Sequence, residues 1–345
     1  MAVEKRITIY TIAERLGISS TTVYRALNNK PRISEETKDA VFRVAEELGF
    51  KSNILAKGLA RKPLRFAVII MTGFSEFQNY ILRGIKQTEK ELYDFNVKVD
   101  YYIYEDEVFT EKAKRFRKSA FKKISEGGYN GVLSSTGEGD DFKPLAEKQI
   151  PVALIINEID NSSRKFCIQH DSYTAGRMAG ELLFWKLGKN AKVAVASGMK
   201  GFSVHETKVR GFQEQTKKTP LDIREVCYNR DSHEAAYRQT KEMIKKQPSI
   251  KGIYINSFNY SGVIEAVTDL GLAGKISIIT SDISGKIKEY LAEGTVAATI
   301  FQNQYQQGQL GLRYLYRYVA ENVVPEDMMA IKPEAVFISN INFYE

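Results

Sequence analysis

The sequence predicts two kinds of fold in one chain: an N-terminal all-α head built on a helix-turn-helix, then an α/β core of two lobes, each a doubly wound parallel sheet. Three observations carry this reading. Apolar residues recur at three-and-four spacing through the first 50 positions, and a glycine falls where two short helices must turn. Beyond Pro63 the pattern changes to short apolar runs alternating with amphipathic stretches, the arrangement of parallel sheets covered on both faces. The charge is divided as well. Residues 1–65 carry 13 Lys/Arg against 7 Asp/Glu, a net of +6, and the other 280 carry 37 against 35. A basic head on a nearly neutral body suits contact with a polyanion, and a solvated surface is the plainer reading of the same surplus.

In the head, Thr8 is placed to cap a first helix whose inward face is Ile9, Ile12, Ala13 and Leu16. Gly17 supplies the sharp turn, where a side chain would obstruct, and Ile18 plugs it. Ser19 caps a second helix, Ser20 to about Asn28, which turns Val23, Ala26 and Leu27 inward. Two helices cross this closely only with a small residue on the first and a glycine between them. Ser34 caps a third helix with Glu35 and Glu36 at its positive end, Val41, Val44, Ala45 and Leu48 inward, and Gly49 closing it. The second helix then exposes Ser20, Thr21, Tyr24 and Arg25, groups suited to reading a major groove. A three-helix module for protein contacts remains the alternative.

Eleven apolar runs beyond the head are read as strands, from Phe66–Met71 to Ala335–Ile338, with helices such as Phe77–Tyr93, Ser172–Leu187 and Gln304–Ala320 between them. Eleven strands are unwieldy for one sheet, hence two lobes. Asp171 and Ser172 are placed to cap the helix that follows.

Several function classes are disfavoured. Apolar content of 43% and charged content of 27% are ordinary for a soluble domain, and no apolar run is long enough to span a bilayer. The first residues lack the apolar region and cleavage site of a signal peptide, so a cytoplasmic location with no membrane partner is expected. Cys167 and Cys227 are then reduced thiols rather than a disulfide. His170, His205 and His233 have no metal-ligand spacing, and each reads as a satisfied or exposed histidine. Gly137-Glu138-Gly139-Asp140 is too short to cradle a phosphate and reads as a loop. No catalytic residue, metal or cofactor is expected.

The stretch Thr8, Ile9, Ile12, Ala13, Gly17, Ile18, Ser19, Thr22, Val23, Arg25, Leu27 and Asn28 resembles the lactose-repressor (LacI/GalR) family. The likeness continues through Pro31–Ser34, Leu48–Phe50 and Asn53–Ala60. It implies a bacterial, nucleoid-associated regulator of transcription, in most relatives a repressor. The chain would divide into a helix-turn-helix domain over 1–52, a hinge helix over 53–62 that orders on DNA, and a periplasmic-binding-protein-like core over 63–345. By analogy the first lobe takes about 63–168 and 301–328, the second about 169–300 and 329–345, and three crossovers join them. The chain would act as a homodimer on duplex operator DNA, with a sugar or sugar derivative bound between the lobes as allosteric effector.

The resemblance also implies roles for residues. Ser20, Thr21 and Arg25 would meet base edges, with Tyr24 beside them where relatives usually carry serine. Thr8, Ser19, Thr22, Asn28 and Arg32 would hold the sugar-phosphate backbone. In the hinge, Asn53, Ala56 and Leu59 would contact DNA, with Leu59 as a minor-groove wedge and Gly58 lowering helix propensity off DNA; a plain linker is the alternative there. Thr11 stands where relatives usually carry an acid, and Ser52 where they often carry proline. Phe77 (rival Phe74), Lys208, Asn256, Asp282 and Gln302 fall at effector positions, Asp282 as acceptor of two sugar hydroxyls. Lys208 replaces the arginine of many relatives and cannot form its planar two-point clamp. Asp282 could instead cap the next helix. The competing functions are a cytosolic solute-binding protein, which the core alone would permit, and a sugar-modifying enzyme on the same scaffold.

Overall fold

A computed structural model of the chain describes residues 7–27, 31–48, 62–72, 75–105, 110–258 and 260–344. Two units separate at Lys62 and Pro63. The N-terminal unit holds helices α1 (Ile9–Leu16), α2 (Ser20–Leu27) and α3 (Glu35–Glu47). Their buried core is Ile12, Ala13, Val23, Ala26, Val41 and Ala45, with Ile9, Leu16, Ile18, Leu27, Val44 and Leu48 packed around it. These are the residues that the spacing selects; Ile33, from the connection before α3, joins them. Gly17 takes φ 65°, the left-handed turn that glycine adopts without penalty. Ser19 Oγ accepts from the Thr22 N–H at 3.0 Å and Ser34 Oγ from the Thr37 N–H at 3.2 Å, so both serines cap as expected. Thr11 Oγ1 accepts from the Thr8 N–H at 3.2 Å, the return bond of a capping box, so a neutral hydroxyl fills the place of the usual acid. Gly49 and Asn28 lie outside the described residues, and α3 ends on Leu48.

The second unit contains, among the described residues, twelve strands: β1 (Leu64–Met71), β2 (Val97–Tyr104), β3 (Gly131–Ser134), β4 (Val152–Ile155), β5 (Phe166–His170), β6 (Lys192–Ser197), β7 (Asp222–Tyr228), β8 (Gly252–Ile255), β9 (Ser277–Ser281), β10 (Ala298–Phe301), β11 (Met328–Ile331) and β12 (Glu334–Val336). They form two six-stranded sheets, ordered β11-β5-β4-β3-β1-β2 and β12-β10-β9-β8-β6-β7. Every pairing is parallel except β10 with β12, so the second sheet ends on an antiparallel edge rather than being parallel throughout. The helices are α4 (Ser75–Glu91), α5 (Glu111–Glu126), α6 (Lys143–Glu147), α7 (Ser172–Leu187), α8 (Ser203–Thr216), α9 (His233–Lys246), α10 (Tyr260–Asp269), α11 (Gly285–Ala292) and α12 (Gln304–Glu321).

The lobe boundaries differ from the expectation at two crossovers. β5 runs to His170 and β11 to Ile331, both within the first sheet, so the chain changes lobes near Asp171 and Lys332 rather than at 169 and 329. The third crossover follows β10. β11 is the strand that the sequence does not reveal: four residues, half exposed, lying on a sheet edge.

Both lobes use glycine to bring helices together. A β-carbon at Gly84 would lie 2.0 Å from Tyr305 O and one at Gly308 2.1 Å from Ile81 O, so α4 and α12 touch backbone to backbone. In the second lobe a β-carbon at Gly176 would lie 2.0 Å from Lys208 O and one at Gly211 2.1 Å from Tyr173 O, which joins α7 to α8 in the same way. This contact fixes where α8, and Lys208 on it, sits above the sheet.

Candidate functional site: a reading helix and an interlobe cavity

On the head, Thr21, Tyr24 and Arg25 are exposed on one face of α2, at the i, i+3, i+4 positions. Ser20 is half-buried, so it is less open than the helical pattern suggests. Thr8, Ser19 and Arg32 are exposed and Thr22 is half-buried. Ser19 Oγ and Thr22 Oγ1 lie 2.8 Å apart within the cap of α2. Arg32 holds φ 69°, a conformation that costs a non-glycine residue about 1 kcal/mol or more. Asn53, Ala56, Gly58 and Leu59, with the whole expected hinge up to Arg61, lie outside the described residues.

In the core, a cavity of about 570 Å³ is bounded by loops that follow strand ends of both lobes. Phe77, Lys208, Asn256, Asp282 and Gln302 all line it; Phe74 lies outside the described residues. Strand ends bring Asn256, Asp282 and Gln302 together, because in open α/β sheets the groups beyond the carboxyl edge face the crevice, while Phe77 and Lys208 reach it from α4 and α8. Asp282 follows β9 and is 7% exposed, with φ 73°. Its carboxylate Oδ1 accepts from Gln302 Nε2 and Gln304 Nε2. The cap of α11 is Ser284, whose Oγ accepts from the Ile287 N–H at 3.1 Å, so Asp282 is not the capping residue. Asp171 does cap: its Oδ1 accepts from the Thr174 N–H at 2.9 Å.

Lys208 is 2% exposed, and Nζ donates to Asn256 O at 3.1 Å. Burial pushes its ammonium down to about 8, against the pull of Asp282 and Asp231. Burial pushes the Asp282 carboxyl up to about 6, although Lys208, Gln302 and Gln304 favour the anion. Asp231, after β7, is likewise pushed up to about 6 by burial. Burial and the Lys208 charge drive His205 down to about 3; its Nδ1 accepts from the Met199 N–H at 2.9 Å, so the ring is neutral with its proton on Nε2. Lys208, Asp231 and Asp282 thus share the cavity wall as buried ionisable groups that act on one another.

Several lining residues are not in the sequence-based set: Gln78, Arg117, Asn157, Glu158, Phe202, His205, Asp231 and Phe258. Asn229-Arg230-Asp231 is a polar run at a strand end, the same signal that marks Asn256, and it points to Asp231. Gly137, Glu138 and Gly139, read as a plain loop, also border the cavity. Phe202 and Phe258 bring two more aromatic rings beside Phe77. Asn157 Oδ1 accepts from Ser203 Oγ at 2.9 Å, a bond from the end of β4 to the start of α8 and so from lobe to lobe. Cys167 and Cys227 are both free.

This cavity between two parallel-sheet lobes defines a ligand-binding core, and residues 66–322 match the family described as periplasmic binding protein domain; the chain belongs to that family. Residues 8–53 match the bacterial regulatory proteins of the lacI family. The chain is a DNA-binding transcriptional regulator of the lacI type, a helix-turn-helix head on a periplasmic-binding-protein-like core. It is 21% identical to catabolite control protein A of Priestia megaterium, over 94% of this chain and 96% of that protein. It is 24% identical to the D-allose-binding periplasmic protein of Escherichia coli strain K12, over 72% of this chain and 83% of that one. The fold superposes with TM-score 0.73 on a glucose-galactose binding protein from Geobacillus stearothermophilus, at 21% identity over 81% of this chain and 99% of that one. No described helix is long and apolar enough to cross a membrane.

Proposed function

We propose that the protein is a homodimeric cytoplasmic repressor that reads operator DNA with α2 and is switched by a sugar or sugar derivative held between the lobes. Supporting this is one observation above all: five residues selected by strand-end position and family likeness, Phe77, Lys208, Asn256, Asp282 and Gln302, meet on a single cavity of about 570 Å³, a volume that suits a small ligand. Asp282 would accept two ligand hydroxyls, Asn256 and Gln302 would add amide bonds, and Phe77 would offer an aromatic face to the ring. The names of the relatives, a D-allose binder and a glucose-galactose binder, support a sugar over other small molecules.

On DNA, Ser20, Thr21, Tyr24 and Arg25 would face base edges. Thr8, Ser19, Thr22, Asn28 and Arg32 would hold phosphates, and Asn53, Ala56 and Leu59 would form the hinge contact. Two heads would meet half-sites about 34–36 Å apart. Ligand that binds one lobe arrangement tenfold better shifts operator affinity by about 1.4 kcal/mol per site, and the shift is reciprocal. Selection of bound duplexes from a random pool tests the reading, with and without a panel of sugars. Enrichment of a two-fold symmetric site that a sugar alters is expected; no enrichment of any sequence under any condition refutes it. Leu59→Ala is expected to weaken operator binding and spare ligand binding.

A further inference from the structure

Two bonded ion clusters border the cavity, each with one cation between two carboxylates, and a third cation lies in the field of two more. Arg117 bonds Asp141 through Nε at 3.2 Å and Glu138 through its terminal nitrogen. Arg164 bonds Glu158 at 2.6 Å and Asp327 at 2.7 Å. Lys208 is the cation acting on both Asp231 and Asp282. Each cluster therefore carries excess negative charge when ionised, and exposed Asp160 adds more at the rim. The lining cations are Arg117, bonded to two carboxylates, and Lys208, whose Nζ donates to Asn256 O.

Four of the five unpartnered polar atoms of the wall have the same sense, the hydroxyl of Ser135 being the exception. Asn256 is fully buried and its Oδ1 has no hydrogen-bond partner. Gln78 Oε1, Glu158 Oε2 and Asp231 Oδ1 are also hidden from solvent and unpartnered. All four are oxygens with lone pairs and no proton, so they favour a ligand that brings donors. An anion offers acceptors and charge of the sign already in excess.

We infer that the cavity takes a polyhydroxylated ligand without negative charge and rejects phosphorylated and carboxylated sugars. This rests on the small-molecule reading of the cavity given above and narrows it to neutral or amine-bearing compounds. The discrimination comes from both walls, Glu158 in the first lobe and Asp231 in the second.

Isothermal titration of the full chain at pH 7.5 tests this with matched series: free pentoses and hexoses, their 2-amino forms, their terminal phosphates and their uronic acids. The expected result is binding of a neutral or amine-bearing sugar, with the phosphate and uronate of the same ring at least tenfold weaker. Glu158→Gln, which leaves the Arg164–Asp327 pair in place, is expected to narrow that gap. A phosphate or uronate that binds as tightly as its neutral parent overturns the inference and leaves the regulator reading standing. Binding by no member of any series overturns both.

Discussion

The two lobes of the core share a plan and differ in what they bring to the cavity. Each has a six-stranded sheet and a glycine-mediated helix pair, Gly84 with Gly308 in one and Gly176 with Gly211 in the other. The second lobe supplies the buried charges, Lys208 and Asp282, with Asn256 beneath them. The first supplies Phe77, Gln78 and loops after β3 and β4, and its buried charges, Arg117 and Asp141, are bonded to each other. The difference assigns roles. A lobe holding desolvated charge outside an ion pair is expected to anchor the ligand, because leaving such groups unpaired costs most; a lobe presenting aromatic and loop groups is expected to complete the site.

The comparison can be broken in order of expected effect. Asp282→Ala is expected to lower affinity for an identified sugar by two orders of magnitude or more, seen by calorimetry, while operator binding by the free protein persists; a variant that still responds would move the anchor elsewhere. Gly84→Ala and Gly211→Ala each force a β-carbon onto a carbonyl oxygen and should each cost about 1–3 kcal/mol in urea unfolding. A loss confined to one of them would show that the two helix pairs are not equivalent.

A third test uses pH. Because burial raises the Asp282 carboxyl to about 6, its ionised form is less favourable in the folded than in the unfolded chain. Its contribution to stability is full below pH 4 and falls as pH rises through about 6. Asp282→Asn lacks that fall, so its stability relative to the parent should improve by roughly 2 kcal/mol between pH 4 and 7. An unchanged difference across that range would mean that the carboxyl is solvated. Phe77→Ala should weaken sugar binding about fivefold, a ring-face contact of about 1 kcal/mol. Ser203→Ala removes the bond to Asn157 across the lobes and should shift the closing equilibrium by less than about 1 kcal/mol, read as a small change in scattering radius.

Much of this was legible in the sequence where the determinant is local. Ala13, Gly17, Ile18 and Val23 specify a helix crossing within eleven residues, and each does what its spacing suggests. Asn256, Asp282 and Gln302 were legible because a polar residue ending a buried parallel strand has one crevice to face. β11 was not, since a four-residue half-exposed edge strand has neither a continuous apolar run nor alternation. Arg117, Glu158, Phe202 and Phe258 reach the cavity from helix and loop positions whose placement depends on tertiary packing. The rival role of Asp282 as a helix cap was settled only by geometry, with Ser284 two residues on taking the N–H.

Reciprocal linkage tests the central claim, that the head and the cavity form one switch, most directly. Operator affinity is measured with and without saturating sugar, and sugar affinity with and without saturating operator. The account predicts the same factor in both directions, at least fivefold. A factor of one in both, from a protein that binds each ligand separately, would contradict it.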